Sequence, residues 1–221
     1  VGVVMKRVGL KHLRRTIRKT GASFFATAFV VAISICAFVG MQSSSKAIET
    51  HAANYFAENN LETFEVSCAN GITQEDVDAI AGWDGITAVE GGYTASILLE
   101  REHEAILVLA RSLLDEINTP MIIEGTLPSS PGEAAIEESL ATKEGVSVGD
   151  VITLEHDGQL LSDTFTVSAI INLPTYCCAN FNDTRGTSEI GLGSNEYFVA
   201  LTKDAFDSDY FSGCFTAAYA V

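Results

Sequence analysis

Residues 21–41 carry no charged side chain, and seven Lys or Arg residues stand just ahead of them with no acid in between. The run GASFFATAFVVAISICAFVGM has 21 residues. At ~1.5 Å rise per residue, a helix of that length spans roughly 30 Å, the hydrocarbon thickness of a bilayer. A chain of this kind must divide into a membrane-length helix and whatever folds outside it. Basic flanks stay on the cytoplasmic side, so Lys6, Arg7, Lys11, Arg14, Arg15, Arg18 and Lys19 predict a cytoplasmic N-terminus. Residues 43–221 are then extracytoplasmic, on a cell (plasma) membrane anchor over 21–42. A cleaved signal peptide fits less well: its apolar region runs only roughly 7–15 residues, and the best cleavage site here, Ser45-Lys46-Ala47, holds a Lys. In the leader, 1–20, Leu10, Leu13 and Ile17 fall at i, i+3 and i+7 with bases on the other faces. That spacing predicts an amphipathic helix along the inner interface.

Charge separates the two parts. The formal net charge of −16 joins a basic leader to a very acidic remainder, because residues 43–221 hold six Lys and Arg against all 29 acids. Such a surface repels phosphates, which excludes nucleic acid as a partner, and it does not lie flat on anionic lipid.

Residues 43–221 are enough for one large core or two subdomains. Ile48, Ala52, Tyr55 and Phe56 predict a helix over 43–59, and alternation predicts a strand over 61–69. Thr73 with Asp76 three residues on predicts a capped helix stopping near Gly82 or Gly85. Strands over 86–100 and 104–110 follow, joined by a charged tip. The class is therefore α+β, opening with a split βαβ unit over 43–120. Turn signals at 124–128 and 131–133 open a different segment: a short strand over 134–136, a helix over 138–144, and strands over 150–155 and 164–172 around the turn His156-Asp157-Gly158-Gln159. This predicts a small mainly-β subdomain inserted over 121–173. A Gly, Asn, Ser and Thr-rich loop spans 174–195. A second strand–helix–strand unit is predicted over 196–221, with its helix over 203–210.

The inserted segment carries a resemblance. EGTLPSSPGEAAIEESLATKEGVSVGDVITLE, followed by DTFTVSAIINLP, resembles the extracytoplasmic core domain of MacB/FtsX-like ABC transporter permeases. The matching pieces are Gly-x-Leu-Pro at 125–128, Pro131-Gly132-Glu133, Glu138-Ser139-Leu140-Ala141 and Gly145-Val146-Ser147-Val148-Gly149-Asp150. The basic leader and first membrane helix are also similar to that family's N-terminus. The matched motifs are structural turns rather than catalytic signatures. The resemblance implies a permease subunit, a permease dimer in membrane lipid, and a separate ABC ATPase subunit, since no Gly-x-x-x-x-Gly-Lys-Ser/Thr occurs here. It further implies an ectodomain that couples cytoplasmic ATP hydrolysis to export or extraction of a lipid, peptide or lipoprotein. Such permeases have four or more membrane helices. One segment in this chain predicts a fragment, or a remainder encoded separately. The alternative is a single-pass anchored binding or adaptor module.

Catalytic motifs are missing. Neither Gly-x-Ser-x-Gly nor His-Glu-x-x-His occurs, and His103-Glu104 lacks the second His. No enzyme activity, cofactor or metal is expected. His12, His51 and His156 read as surface or turn residues, and Asp204, Asp207 and Asp209 as a solvated acidic turn rather than a calcium loop. Gly191-Leu192-Gly193 is too short for a dinucleotide loop. Cys36 reads as a small apolar residue of the membrane run. Cys68, Cys177, Cys178 and Cys214 allow three pairings if the compartment is oxidising. Joining adjacent Cys177 and Cys178 makes a strained ring, so one reaches more naturally to Cys68 and the other to Cys214. Free thiols remain an open alternative, and zinc a third, with no nearby His to complete its ligands.

Overall fold

The computed structural model describes residues 12, 14, 15, 18–100, 105–176, 183–191 and 193–221. The apolar run lies in one helix, α1 (Gly21–Glu58), of 38 residues and with no buried side chain. By length and composition it can cross a membrane. Two hydroxyls of the apolar run are satisfied within the helix: Thr27 and Ser34 donate to the carbonyls of Ser23 and Val30, one turn back, at 3.0 and 2.9 Å. The sequence predicts a second helix starting at 43. The two are continuous because residues 41–46 contain neither Gly nor Pro to break them. Leu10, Leu13 and Ile17, the expected interfacial stripe, lie outside the described residues.

The chain divides into two units, residues 1–54 and 55–221. Within the second, β1 (Phe64–Ile72), α2 (Gln74–Ala81) and β2 (Val89–Gly92) form the predicted split βαβ unit, and β10 (Phe215–Ala220) fills its gap. β10 runs antiparallel to both neighbours, giving the order β1-β10-β2. The capping box at Thr73 and Asp76 starts α2, whose Val77 and Ile80 pack on Ile72 and Ala218.

The other strands are β3 (Thr94–Glu100), β4 (Ala105–Ser112), β5 (Met121–Gly125), β6 (Glu133–Glu137), β7 (Val151–Glu155), β8 (Thr164–Asn172) and β9 (Tyr197–Leu201), with α3 (Glu138–Glu144) between β6 and β7. Their order is β5-β8-β6-β9-β4-β3-β7, and β7 also pairs with β8. Six strands therefore close into a ring, and β5 stands outside it on β8 alone. Closure removes the open edges that a sheet of this size would otherwise expose. One core contains Ile97, Leu99, Val108, Ile136, Leu154, Phe165, Val167 and Val199. Each full burial of such a side chain stabilises by about 1.5–3 kcal/mol. The alternate residues Ala135, Ala169, Ile171, Phe198 and Ala200 build a second core with Leu173.

The α+β class stands, and four details depart from the sequence reading. The expected strand over 86–100 breaks at Tyr93. There the N–H groups of Tyr93 and Thr94 donate to the hydroxyls of Ser112 and Thr216, at 2.9 and 2.7 Å, which lets the chain change sheets. The segment 121–173 is no separate insertion, because β6, β7 and β8 share the ring with β3, β4 and β9. The second strand–helix–strand unit is divided: β9 enters the ring and β10 the three-stranded sheet. Its helix shrinks to a 3-10 turn at Lys203–Ala205. Asp207 Oδ1 takes the N–H groups of Asp209 (2.9 Å) and Tyr210 (3.4 Å), competing with helical bonds.

Candidate functional site

The C-terminal end of α1 is bonded into the sheets by residues 59–63. Asn60 takes left-handed backbone, φ 46°. Leu61 N–H donates to Phe56 O (3.0 Å) and Asn60 N–H to Ala57 O (3.4 Å), the paired bonds of a Schellman stop. From there the chain meets the turn after β4. Asn118 and Thr119 N–H groups donate to Asn60 O and Asn59 O, both at 3.0 Å. Asn60 Nδ2 donates to Glu116 O (3.0 Å), and Glu62 N–H donates to Asn118 Oδ1 (3.0 Å). Thr63 N–H then donates to Ala220 O at 2.8 Å, joining β10.

Carboxylates brace this joint from both sides. Glu90 on β2 accepts the N–H groups of Asp115, Glu116 and Ile117 at 2.8, 2.7 and 3.0 Å, and Lys203 Nζ lies 3.3 Å away. Burial alone raises the Glu90 pKa, but the three N–H donors and Lys203 outweigh it and hold it low. Glu62 accepts from Thr175 Oγ1 at 3.1 Å. Burial raises its pKa, against its own backbone bond and the nearby Arg111 charge.

Behind the joint, two buried guanidinium groups share one aromatic ring. Arg111 and Arg185 lie 5.7 and 5.3 Å from the Tyr176 ring centre, and Arg111 also lies 5.6 Å from that of Tyr219. Arg185 forks onto Glu137, Nε to Oε2 at 3.0 Å and Nη2 to Oε1. Glu137 Oε2 also accepts the Phe198 N–H (3.2 Å), while Oε1 accepts from Ser139 Oγ. Burial opposes the charge of Arg185, but Glu137 prevails and raises its pKa. Burial pushes Tyr219 up to about 12. A cleft of about 350 Å³ opens here, lined among others by Tyr55, Met121, Glu138, Leu173, Tyr176 and Phe198. Its walls suit an apolar side chain with a polar or cationic end. Among the described residues, no group of three or more His, Cys, Asp or Glu is placed to hold a metal.

The motif residues of 125–150 are turns with definite geometry. Gly125 has φ 82°, and a Cβ there would collide with the Ser168 carbonyl oxygen. Glu133 Oε2 accepts from the N–H groups of Ser129 (2.8 Å) and Ser130 (3.3 Å), closing the loop before β6. Gly145, φ 66°, ends α3 with its N–H on Ala141 O. Asp150 Oδ2 accepts the Ser147 N–H at 2.8 Å.

Among the described residues, no bond joins Cys68 to Cys214. Cys68 and Cys214 are free thiols that line one groove, and Cys177 and Cys178 lie outside the described residues. Asp204 and Asp209 form no carboxylate cluster with Asp207, which is spent on its own turn. His156 is nearly buried in its hairpin: Nδ1 accepts from Gly158 N–H (3.1 Å) and Nε2 lies 3.0 Å from Asp163 Oδ1. Sequence reasoning passed over Arg111, Arg185, Glu137, Asn60 and Asn118. Arg111 had a visible signal, a lone charge in the apolar run AILVLARS of β4.

No family model and no curated protein matches the chain. Among solved structures, its fold is similar to the extracellular domain of the noncanonic ABC-type transporter YknZ from Gram-positive bacteria: TM-score 0.46, 11% identity, 70% of this chain and 74% of that one. It is also similar to the periplasmic region of MacB from Actinobacillus actinomycetemcomitans: TM-score 0.43, 9% identity, 70% and 65%. A domain of a putative permease protein from Porphyromonas gingivalis gives TM-score 0.40 at 16% identity, covering 68% of each chain.

Proposed function

We propose that this chain is the first membrane helix and the extracytoplasmic domain of an ABC transporter permease of the MacB/FtsX-like type. The observation that carries the reading is the set of turns over 125–150. The residues that resemble that family, Gly125, Glu133, Gly145 and Asp150, each hold a turn in the run from β5 through β6 and α3 to β7, so the matched stretch is a folding unit rather than a chance string. The N-terminus lies in the cytoplasm in this reading and residues 43–221 outside, which the basic leader supports. In this reading α1 is a lever. A separate ATPase moves the cytoplasmic side, and the Asn60–Asn118 joint passes the movement into the sheets, assisting export or extraction of a lipid, peptide or lipoprotein. A permease dimer in membrane lipid supplies the remaining transport path.

The test is isolation of the tagged native gene product from its own membrane after mild cross-linking, with bound proteins identified by mass spectrometry. A stoichiometric subunit carrying Gly-x-x-x-x-Gly-Lys-Ser/Thr is expected. Isolation with no nucleotide-binding subunit overturns the permease reading and leaves an anchored adaptor module.

A further inference from the structure

Among the described residues, β5 is an uncovered strand of the larger sheet. All five of its residues are exposed, and Met121, Ile122 and Ile123 are 42%, 47% and 45% accessible. Among the described residues it pairs with β8 on one side only, so its other side presents backbone donors and acceptors that no described strand takes up. The cleft described above, with both apolar and polar walls, begins at its first residue, Met121. An open strand edge beside a side-chain pocket is the arrangement that receives an extended peptide: the edge binds its backbone and the pocket one of its side chains.

Charge selects the kind of peptide. Glu124 lies in the strand, and Glu138 sits at the cleft, its Oε2 accepting from Asn172 Nδ2 at 2.6 Å, where Asn172 is the ladder partner of Met121. The bases among the described residues of 55–221 are buried or paired. Arg111 is buried, Arg185 lines the cleft but is buried against Glu137, Lys143 faces Glu196 (3.8 Å) and Tyr197, and Lys203 faces Glu90 and Asp115. Among the described residues, Glu124 and Glu138 therefore have no cationic partner of their own. Their charge disfavours a second copy of this acidic chain as the occupant and favours a cation.

We propose that the free edge of β5, with the adjoining Met121–Glu138 cleft, binds an extended segment of a partner or substrate whose sequence alternates cationic and apolar residues. This does not depend on the permease assignment. The test uses the full chain in zwitterionic nanodiscs and fluorescence anisotropy of a labelled ten-residue peptide alternating Lys and Val. Expected are saturable binding weakened by salt, at least tenfold weaker binding of the Glu/Val counterpart, and a comparable loss in Ile122→Lys and in Glu124→Lys/Glu138→Lys, with near-UV circular dichroism unchanged. The same Lys/Val peptide N-methylated at every backbone nitrogen keeps its charge but has no N–H with which to add a strand. It is expected to lose at least tenfold. Equal binding by the methylated peptide, or no effect of the substitutions, overturns the proposal. Concentration-dependent dimerisation abolished by Ile122→Lys overturns it as well, assigning the edge to a second copy.

Discussion

Asn60 and Asn118 both hold left-handed backbone, φ 46° and 54°, and each bonds to the other's turn. The Asn118 N–H donates to Asn60 O, while Asn60 Nδ2 reaches Glu116 O two residues before Asn118. Two Asn residues serve here because each tolerates this conformation and offers a short polar arm. Asn60→Gly keeps the backbone and loses one side-chain bond, an expected cost of about 0.5–1.5 kcal/mol. Asn60→Ala adds the left-handed penalty, roughly 1 kcal/mol more. Thermal unfolding of both variants in detergent micelles checks the order; Ala as stable as Gly would refute the account of the joint.

Two glycines of the matched turn stretch make an internal control. A Cβ at Gly125 meets the Ser168 carbonyl, and its φ of 82° is strained for any other residue, whereas a Cβ at Gly132 meets nothing within 4 Å. Gly125→Ala is expected to destabilise by about 2–4 kcal/mol. Gly132→Ala should stay within about 0.5 kcal/mol of the parent. Equal melting temperatures would remove the geometric reason for a glycine at 125.

What could be read in advance was local. Thr73 and Asp76 are three residues apart, so their cap follows from spacing alone, and the alternation over 164–172 gave β8 its bounds. What could not be read was pairing at a distance. β8 bonds β7 with its first residues and β5 with its last, on the side opposite β6, and no local pattern distinguishes these partners. β5 was passed over because all its residues are exposed, which removes the two-residue alternation on which strand recognition rests. The joint was hidden for a related reason: Asn60 lies 56 residues from Glu116 in sequence.

The Glu137–Arg185 pair gives a third prediction. Both side chains are buried, so removing the cation alone leaves a carboxylate without compensation. Arg185→Met should cost about 3–5 kcal/mol. Arg185→Met/Glu137→Gln should recover more than half of that, since the Gln carbonyl still accepts the Phe198 N–H. Denaturant unfolding of the single and double variants in micelles tests it, and a double variant less stable than the single one would contradict it.

Glu90 sets the acid limit of the joint. Its folded pKa lies below the ordinary 4.5, so its contribution is complete above pH 4.5 and is lost as pH falls through the lower folded value. Protonation weakens three N–H bonds to 115–117 and the Lys203 pair, loosening the turn that carries Asn118. Glu90→Gln should lower stability by about 1–2 kcal/mol at neutral pH, after discounting for solvent screening of a partly exposed group. The difference from the parent should shrink towards zero as pH falls through the lowered folded value, because both side chains are then neutral. Melting curves of the two proteins between about pH 7 and 3 read this directly. A gap that stays constant with pH would show that the Glu90 charge contributes nothing to holding the turn.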